Sequence, residues 1–454
     1  MGNPKLTLAD WDGLPRPRRT WSIVAIWLAM AMAILDGAIA NVALPAIARD
    51  IHAVPAEAVW VVNAYQLAIV VALLPMAALG EVVGYRRVFQ AGLSLFVLAS
   101  LACTLVHSLP ALALARGVQG LGAAGVVSLN GALIRLTFPH RMLGRIIGFN
   151  ALVISVGAAT GPTVAAAILS LGPWQWLFAL NLPIGAASLL AGWASLPESH
   201  RSTGGFDFVS AGLNVGTFGL FIIGVDMVTR AGAYAPGALA VALAVICGIS
   251  LMRRSLSQAR PLVPLDLLRN RLFALSVLTS IATFAAQMLA FVALPFYFEG
   301  ALHRGQVQTG LLMTPWPVAV GVAAPLAGRL ADHYPAAILG SIGLVVFSAG
   351  LVALALMGTD ASSADIAWRM AMCGVGFGFF QAPNNRTLLT SAPLDRSGAA
   401  GAMLATARLT GQTIGATLTA ILFALVAHSE VSALAVAAGF AMGALAISLS
   451  RLQK

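Results

Sequence analysis

The stretch WSIVAIWLAMAMAILDGAIANVALP, residues 21–45, is apolar over a length that crosses a bilayer and contains one ionisable residue, Asp36. A helix needs about 20 predominantly apolar residues to span the hydrocarbon layer. A carboxyl at that depth is costly, so it faces a cavity or a partner and carries protons or ions. Asp36 therefore reads as a proton or cation site. The alternative is a hydrogen-bonded or ionic tie between helices.

Outward from this stretch the rest of the chain has the same character. Hydrophobic residues make up 59% of the 454 and charged residues 9%, against about a quarter charged in soluble domains. Apolar segments of spanning length recur at 21–44, 57–79, 88–107, 109–136, 144–170, 176–196, 208–228, 236–252, 272–298, 308–330, 336–357, 365–390, 398–427 and 431–450. The sequence thus predicts an all-α integral membrane protein with fourteen spans, which leaves no room for a soluble catalytic domain. The net charge of +10 is a matter of topology and calls for no nucleic acid. With the N-terminus in the cytoplasm, 20 of the 26 Lys and Arg residues lie on the cytoplasmic side, and an even helix number returns the C-terminus there. This is the positive-inside pattern, N-in and C-in.

Ala38-Ile39-Ala40 resembles a signal cleavage site, but the apolar region is too long and thirteen spans follow, so an uncleaved first helix is expected. Cys103, Cys247 and Cys373 sit on different spans and read as packing residues, without metal-ligand spacing. No metal and no cofactor are expected. The seven histidines all lie away from mid-membrane, which argues against a membrane enzyme or sensor. With Lys5 and Lys454 as the only lysines, no Gly-Lys phosphate loop exists, and GLGAAG (120–125) follows no strand.

AALGEVVGYRR (77–87) at the end of the second span and GRLADHYP (328–335) at the end of the tenth place Glu81 and Asp332 in equivalent positions. The repeat gives a 6 + 2 + 6 arrangement: a tail at 1–20, a six-helix bundle at 21–198, an inserted helix pair at 199–260 and a second bundle at 261–454. Repeats of this kind are typical of transporters. Arg116 and Arg369 occupy loosely similar places in the fourth and twelfth spans, with snorkelling the simpler account of Arg369.

Five motifs carry a family resemblance: LDGAIANVALP (35–45), the loop with Glu81, Gly84, Arg86 and Arg87, ARGVQGLGAAG (115–125), GAATGPTVAA (157–166) and WQWLFALNLPIG (174–185). In these the chain resembles the fourteen-helix drug/proton antiporters of the major facilitator superfamily over essentially its full length. The resemblance implies a gate at the cytoplasmic ends, formed by Glu81, Arg86, Arg87 and Asp332. It also implies that the fifth-helix motif with Gly157, Gly161 and Pro162 favours export. The sequence departs from the family pattern at Ala38, Ala77, Ala165 and Ala166.

Gly157 and Gly161, four apart, present a small face for close helix approach, and Pro162 lets the helix bend. This face is expected to pack across the interface between halves. At 1.5 Å per residue, Asp36 and Arg116 fall at one depth, so they form a pair that switches as helices move, or a static tie. Arg408 is a third buried cation, with Gln381 or Asn384 as its candidate partner. Tyr65, Gln66, Gln287, Phe291, Trp316, Gln381, Asn384, Arg408 and Gln412 are the candidate substrate residues, core packing or a helix–helix hydrogen bond being the alternative for each. Trp174 and Trp176 read as an interfacial belt. The expected function is a proton-coupled exporter of small amphipathic, cationic or zwitterionic compounds, monomeric, in a cytoplasmic membrane. The alternative is a dedicated single-solute carrier.

Overall fold

The computed structural model describes residues 13–139, 142–199, 205–228, 234–258, 265–331, 333–391, 397–426 and 429–451. Among them every regular element is helical. The long helices are α1 (Arg18–Asp50), α2 (Pro55–Val83), α3 (Tyr85–Leu105), α4 (Leu109–Thr137), α5 (Leu143–Leu171), α6 (Gln175–Ser195), α7 (Phe208–Val228) and α8 (Tyr234–Ser257). They continue as α9 (Arg271–Ala301), α10 (Gln306–Leu330), α11 (Ala336–Ala355), α12 (Ser363–Thr390), α13 (Ser397–Leu425) and α14 (Ser429–Leu449). Eleven of these are long and apolar enough to cross a membrane among the described residues. The others, α5, α12 and α13, are of comparable length, 29, 28 and 29 residues. Asp332 lies outside the described residues.

Local chemistry sets the helix ends. Gly84 has φ +112°, a left-handed conformation that favours glycine, and it reverses the chain between α2 and α3 within one residue. Asn270 caps α9 by accepting from the amides of Leu272 (3.0 Å) and Phe273 (3.4 Å), and Ser362 caps α12 by accepting from Asp365 (3.1 Å). Such short connections force successive helices to run in opposite directions. One end of the molecule therefore collects Arg18, Arg86, Arg254 and Arg451 and is called the basic end below; Asp50, Trp174 and Tyr297 mark the opposite end.

An internal repeat is written in the backbone contacts. A Cβ on Gly120 of α4 would collide with the carbonyl oxygen of Tyr65 on α2, and one on Gly374 of α12 with the carbonyl oxygen of Trp316 on α10. Likewise Gly122 of α4 abuts the amide of Phe96 and the carbonyl of Gly92 on α3, as Gly376 of α12 abuts Phe347 and Gly343 on α11. The GLGAAG stretch is thus a seat for two neighbouring helices. The same register corrects the pairing of Arg116 with Arg369: four residues before Gly120 is Arg116, and four before Gly374 is Met370.

Around these seats α1 packs on α5 and α6, and α9 on α13 and α14, while α7 and α8 pair with each other and lean on α2. The first six helices meet the last six through α1 with α9, α2 with α13, and α5 with α10. Toward the opposite end one hydrophobic core runs through both sets, joining Leu44, Ile47 and Val62 to Leu289, Phe296 and Ala416. Toward the basic end the core divides. Ile26, Phe89 and Leu133 belong to one cluster, and Phe273, Leu388 and Met403 to another. The halves share one core toward the opposite end, and toward the basic end their cores separate, with Leu409 and Ala405 of α13 still packed on the first-half cluster.

The fifth-helix glycines face a different neighbour from the one expected. A Cβ on Gly161 would collide with the Cβ of Ala38, and one on Gly157 would stand 3.5 Å from the carbonyl of Ala31, so both pack on α1 inside the first half. Cross-half contact falls on the other face of α5. There the Pro162 carbonyl and Ala166 leave no room for a Cβ on Gly310 of α10, and the Thr163 and Thr314 hydroxyls hydrogen-bond at 2.9 Å. Four-residue spacing shows that a face is small and does not name its partner.

The candidate proton and substrate site

Five helices converge on Asp36. Its Oδ2 accepts from Arg116 Nη1 on α4 at 2.5 Å, and its Oδ1 accepts from Gln119 Nε2 on α4 (3.0 Å) and Asn181 Nδ2 on α6 (2.7 Å). Arg116 also donates from Nη1 to Gln119 Oε1 and from Nε to the Val61 carbonyl on α2 (3.0 Å), and its guanidinium lies 4.1 Å from the Tyr65 ring centroid. On α3, Ser100 receives the other bond from Gln119 at 2.8 Å. Both charged side chains are 1% exposed. Desolvating two ions is offset only when hydrogen bonds satisfy their remaining capacity, as Gln119, Asn181 and Val61 do here.

The helix seats position these donors. Close approach at Gly120 brings Arg116 against Val61 and Tyr65, and close approach at Gly122 brings Gln119 to Ser100. Sequence reasoning placed Asp36 and Arg116 at one depth; it assigned no role to Gln119, Asn181 or Ser100. The first two lie in stretches already quoted for the family resemblance, and a polar amide one turn from Arg116 was the available signal.

The candidate substrate residues divide. Tyr65 is buried, donates to the Ala33 carbonyl at 3.1 Å and roofs Arg116, so it belongs to the charge network. Asn384 is a helix tie: it donates to Ser280 Oγ (2.7 Å) and the Ser276 carbonyl (3.3 Å) and accepts from Arg451 (2.8 Å). Neither it nor Gln381 partners Arg408. Trp316 is fully buried, edge-on to Phe291 and Phe347 at 4.9 and 5.6 Å, with its indole N–H unpartnered. Gln66 is buried with Oε1 unpartnered, and Gln287, Phe291, Gln381, Arg408 and Gln412 are half-buried.

At the ends, Arg86 donates to the Trp193 carbonyl and lies 3.6 Å from Glu198, both within the first half, while Glu81 and Arg87 are exposed. Among the described residues no hydrogen bond or ion pair carries these three across to the second half. The ion pair that does cross is at the opposite end, Arg49 to Glu299 at 2.6 Å. Trp174 is buried there, donating to Asp50 at 2.8 Å, and only Trp176 is exposed as a belt residue would be. Arg369 pairs with Asp365 one turn away at 3.0 Å. Two surface hollows, about 480 and 300 Å³, lie at the two ends and do not reach Asp36.

Residues 26–416 match the family model of the Major Facilitator Superfamily. The chain belongs to this superfamily. It is a multi-pass membrane transporter and not an enzyme. It is 50% identical over 413 residues to the "Uncharacterized transporter YebQ" of Escherichia coli, covering 90% of each protein. To the "Riboflavin transporter RibZ" of Clostridioides difficile it is 28% identical, covering 90% of this chain and 89% of that one. To the "Multidrug resistance protein Stp" of Mycobacterium tuberculosis it is 30% identical, covering 87% of this chain and 74% of that protein.

Proposed function

We propose that this superfamily member is a proton-coupled exporter of small amphipathic compounds, working by alternating access in a cytoplasmic membrane. Its spans number fourteen, N-in and C-in, as two six-helix bundles (21–198 and 261–454) and an inserted pair (199–260), with the basic end in the cytoplasm. The observation that carries this reading is Asp36, the one carboxylate deep in the described interior, bound by donors from α4 and α6 beside the seam with the second half. Protonating Asp36 removes the counter-charge of Arg116 and replaces a five-helix tie by a weaker one. A sealed opposite end and a divided basic end support a cytoplasm-open conformation. In the reverse state Glu81, Arg86, Arg87 and Asp332 close the basic end while Arg49–Glu299 opens. Of the cationic and zwitterionic classes expected for the cargo, the zwitterionic is favoured, since Arg116 already neutralises Asp36.

Proteoliposomes test the coupling. With Asp36→Asn, uptake driven by a pH gradient is abolished while gradient-free exchange of substrate persists. Gradient-driven uptake at the parent's rate overturns the assignment.

A further inference from the structure

Arg408 stands apart from the other interior charges. Among the described residues no carboxylate or hydrogen-bond acceptor meets it, its Nε is buried and unpartnered, and its guanidinium lies 5.8 Å from the ring centroid of Phe284 on α9. Such a group is costly inside a membrane unless it faces water or a ligand.

Its place on α13 says which way it faces. Gly411 and Gly415 seat α13 on the Ile281 and Ala285 carbonyls of α9, and Leu409 joins the first-half cluster. Arg408 lies on the strip between these two contacts, within electrostatic reach of Tyr65 across the seam. Along the same helix Ala416 is in the core shared by both halves, whereas Met403 and Ala407 are in a cluster of the second half alone. Arg408 therefore lies at the seam between the halves, where the core they share gives way to the clusters nearer the basic end. Asp36 and Arg116 cancel, so the described deep charge is that of Arg408, a net +1.

Resting on the transporter reading above, we infer that Arg408 anchors the cargo by an anionic group, a carboxylate, sulfonate or phosphate, held beside the apolar ring of Phe284. A planar guanidinium matches such oxyanions two hydrogen bonds at a time. The unpaired positive charge disfavours monocations, and an amphipathic acid or a zwitterion fits both that charge and the apolar Phe284 ring.

Two xanthene dyes of similar size test this, the anion fluorescein and the cation rhodamine 6G. Each is titrated by fluorescence anisotropy into the purified full-length protein in phosphatidylcholine nanodiscs at neutral pH without a gradient. The wild type binds fluorescein more tightly than rhodamine 6G. Arg408→Gln weakens fluorescein about tenfold or more and leaves rhodamine 6G unchanged or tighter; Arg408→Lys keeps part of the fluorescein affinity. Rhodamine 6G binding by Arg408→Gln shows that the variant is folded. Equal fluorescein affinity in wild type and Arg408→Gln, a wild-type preference for rhodamine 6G, or no binding of either dye overturns the inference. Dye binding is read without a gradient and proton coupling by gradient-driven uptake in proteoliposomes, so a failure of the anion site and a failure of the transporter reading appear in separate measurements.

Discussion

The α2–α3–α4 and α10–α11–α12 layers share one backbone design and carry opposite chemistry. Gly120 and Gly122 seat α4 as Gly374 and Gly376 seat α12, with near-identical approach distances. On the first scaffold stand Arg116, Gln119 and Ser100; at the matching positions of the second stand Met370, Cys373 and Leu351, all in the shared hydrophobic core. A duplicated helix contact thus fixes geometry without fixing chemistry. One layer is free to specialise in a saturated ion network while the other supplies apolar packing. Charge in the second half has gone elsewhere, to Arg408 at the seam and to Arg451 at the basic end. The Arg451 guanidinium bonds Asn384 and Thr279, and burial pulls it down to about 10.

The largest expected effect comes from unbalancing the charged layer. Arg116→Ala leaves Asp36 buried without its counter-ion and destabilises the protein by about 3–5 kcal/mol, seen as a fall in the thermal midpoint of the detergent-solubilised protein. Combining Asp36→Asn with Arg116→Met makes that layer resemble its apolar counterpart and recovers most of the loss, with proton coupling absent. If the double variant is as unstable as the single, the layers are not interchangeable scaffolds.

A middle-sized effect separates packing inside a half from packing between halves. Gly161→Leu drives a side chain into Ala38 within the first half, and Gly310→Leu drives one into Pro162 and Ala166 across the seam. Each overpacking costs about 1–3 kcal/mol, but only Gly310→Leu pushes the opposite ends apart. Spin-label distances between the ends of α1 and α9 lengthen for Gly310→Leu and hold for Gly161→Leu. The reverse result breaks the assignment of the two α5 faces.

The smallest effect concerns the α7–α8 pair, outside both layers. Burial raises the Asp207 carboxyl, but Arg254, Ser210 and Gln258 together bond its charged form and hold it below the usual carboxylate range. A carboxyl lowered in the folded state stabilises above its unfolded value and loses that contribution as pH falls through the folded one. Asp207→Asn is therefore expected to flatten the acid limb of the thermal-stability profile slightly, with transport intact. An unchanged acid limb removes this pair from the stability account.

Eleven of the expected spans were legible in the sequence because a bilayer demands about 20 apolar residues per helix, and the common depth of Asp36 and Arg116 followed from 1.5 Å per residue. The repeat expected at Glu81 and Asp332 falls partly outside the described residues; the glycine seats of α4 and α12 carry a repeat between the halves. What faces what was decided by the tertiary structure alone. Rotation about each helix axis assigned Gly157 and Gly161 to α1, brought Gln119 and Asn181 to Asp36, gave Asn384 to Arg451 and left Arg408 at the seam without a hydrogen-bond partner among the described residues. Periodicity reports that a helix has a small or polar face; which neighbour fills that face depends on crossing angles set by contacts hundreds of residues apart.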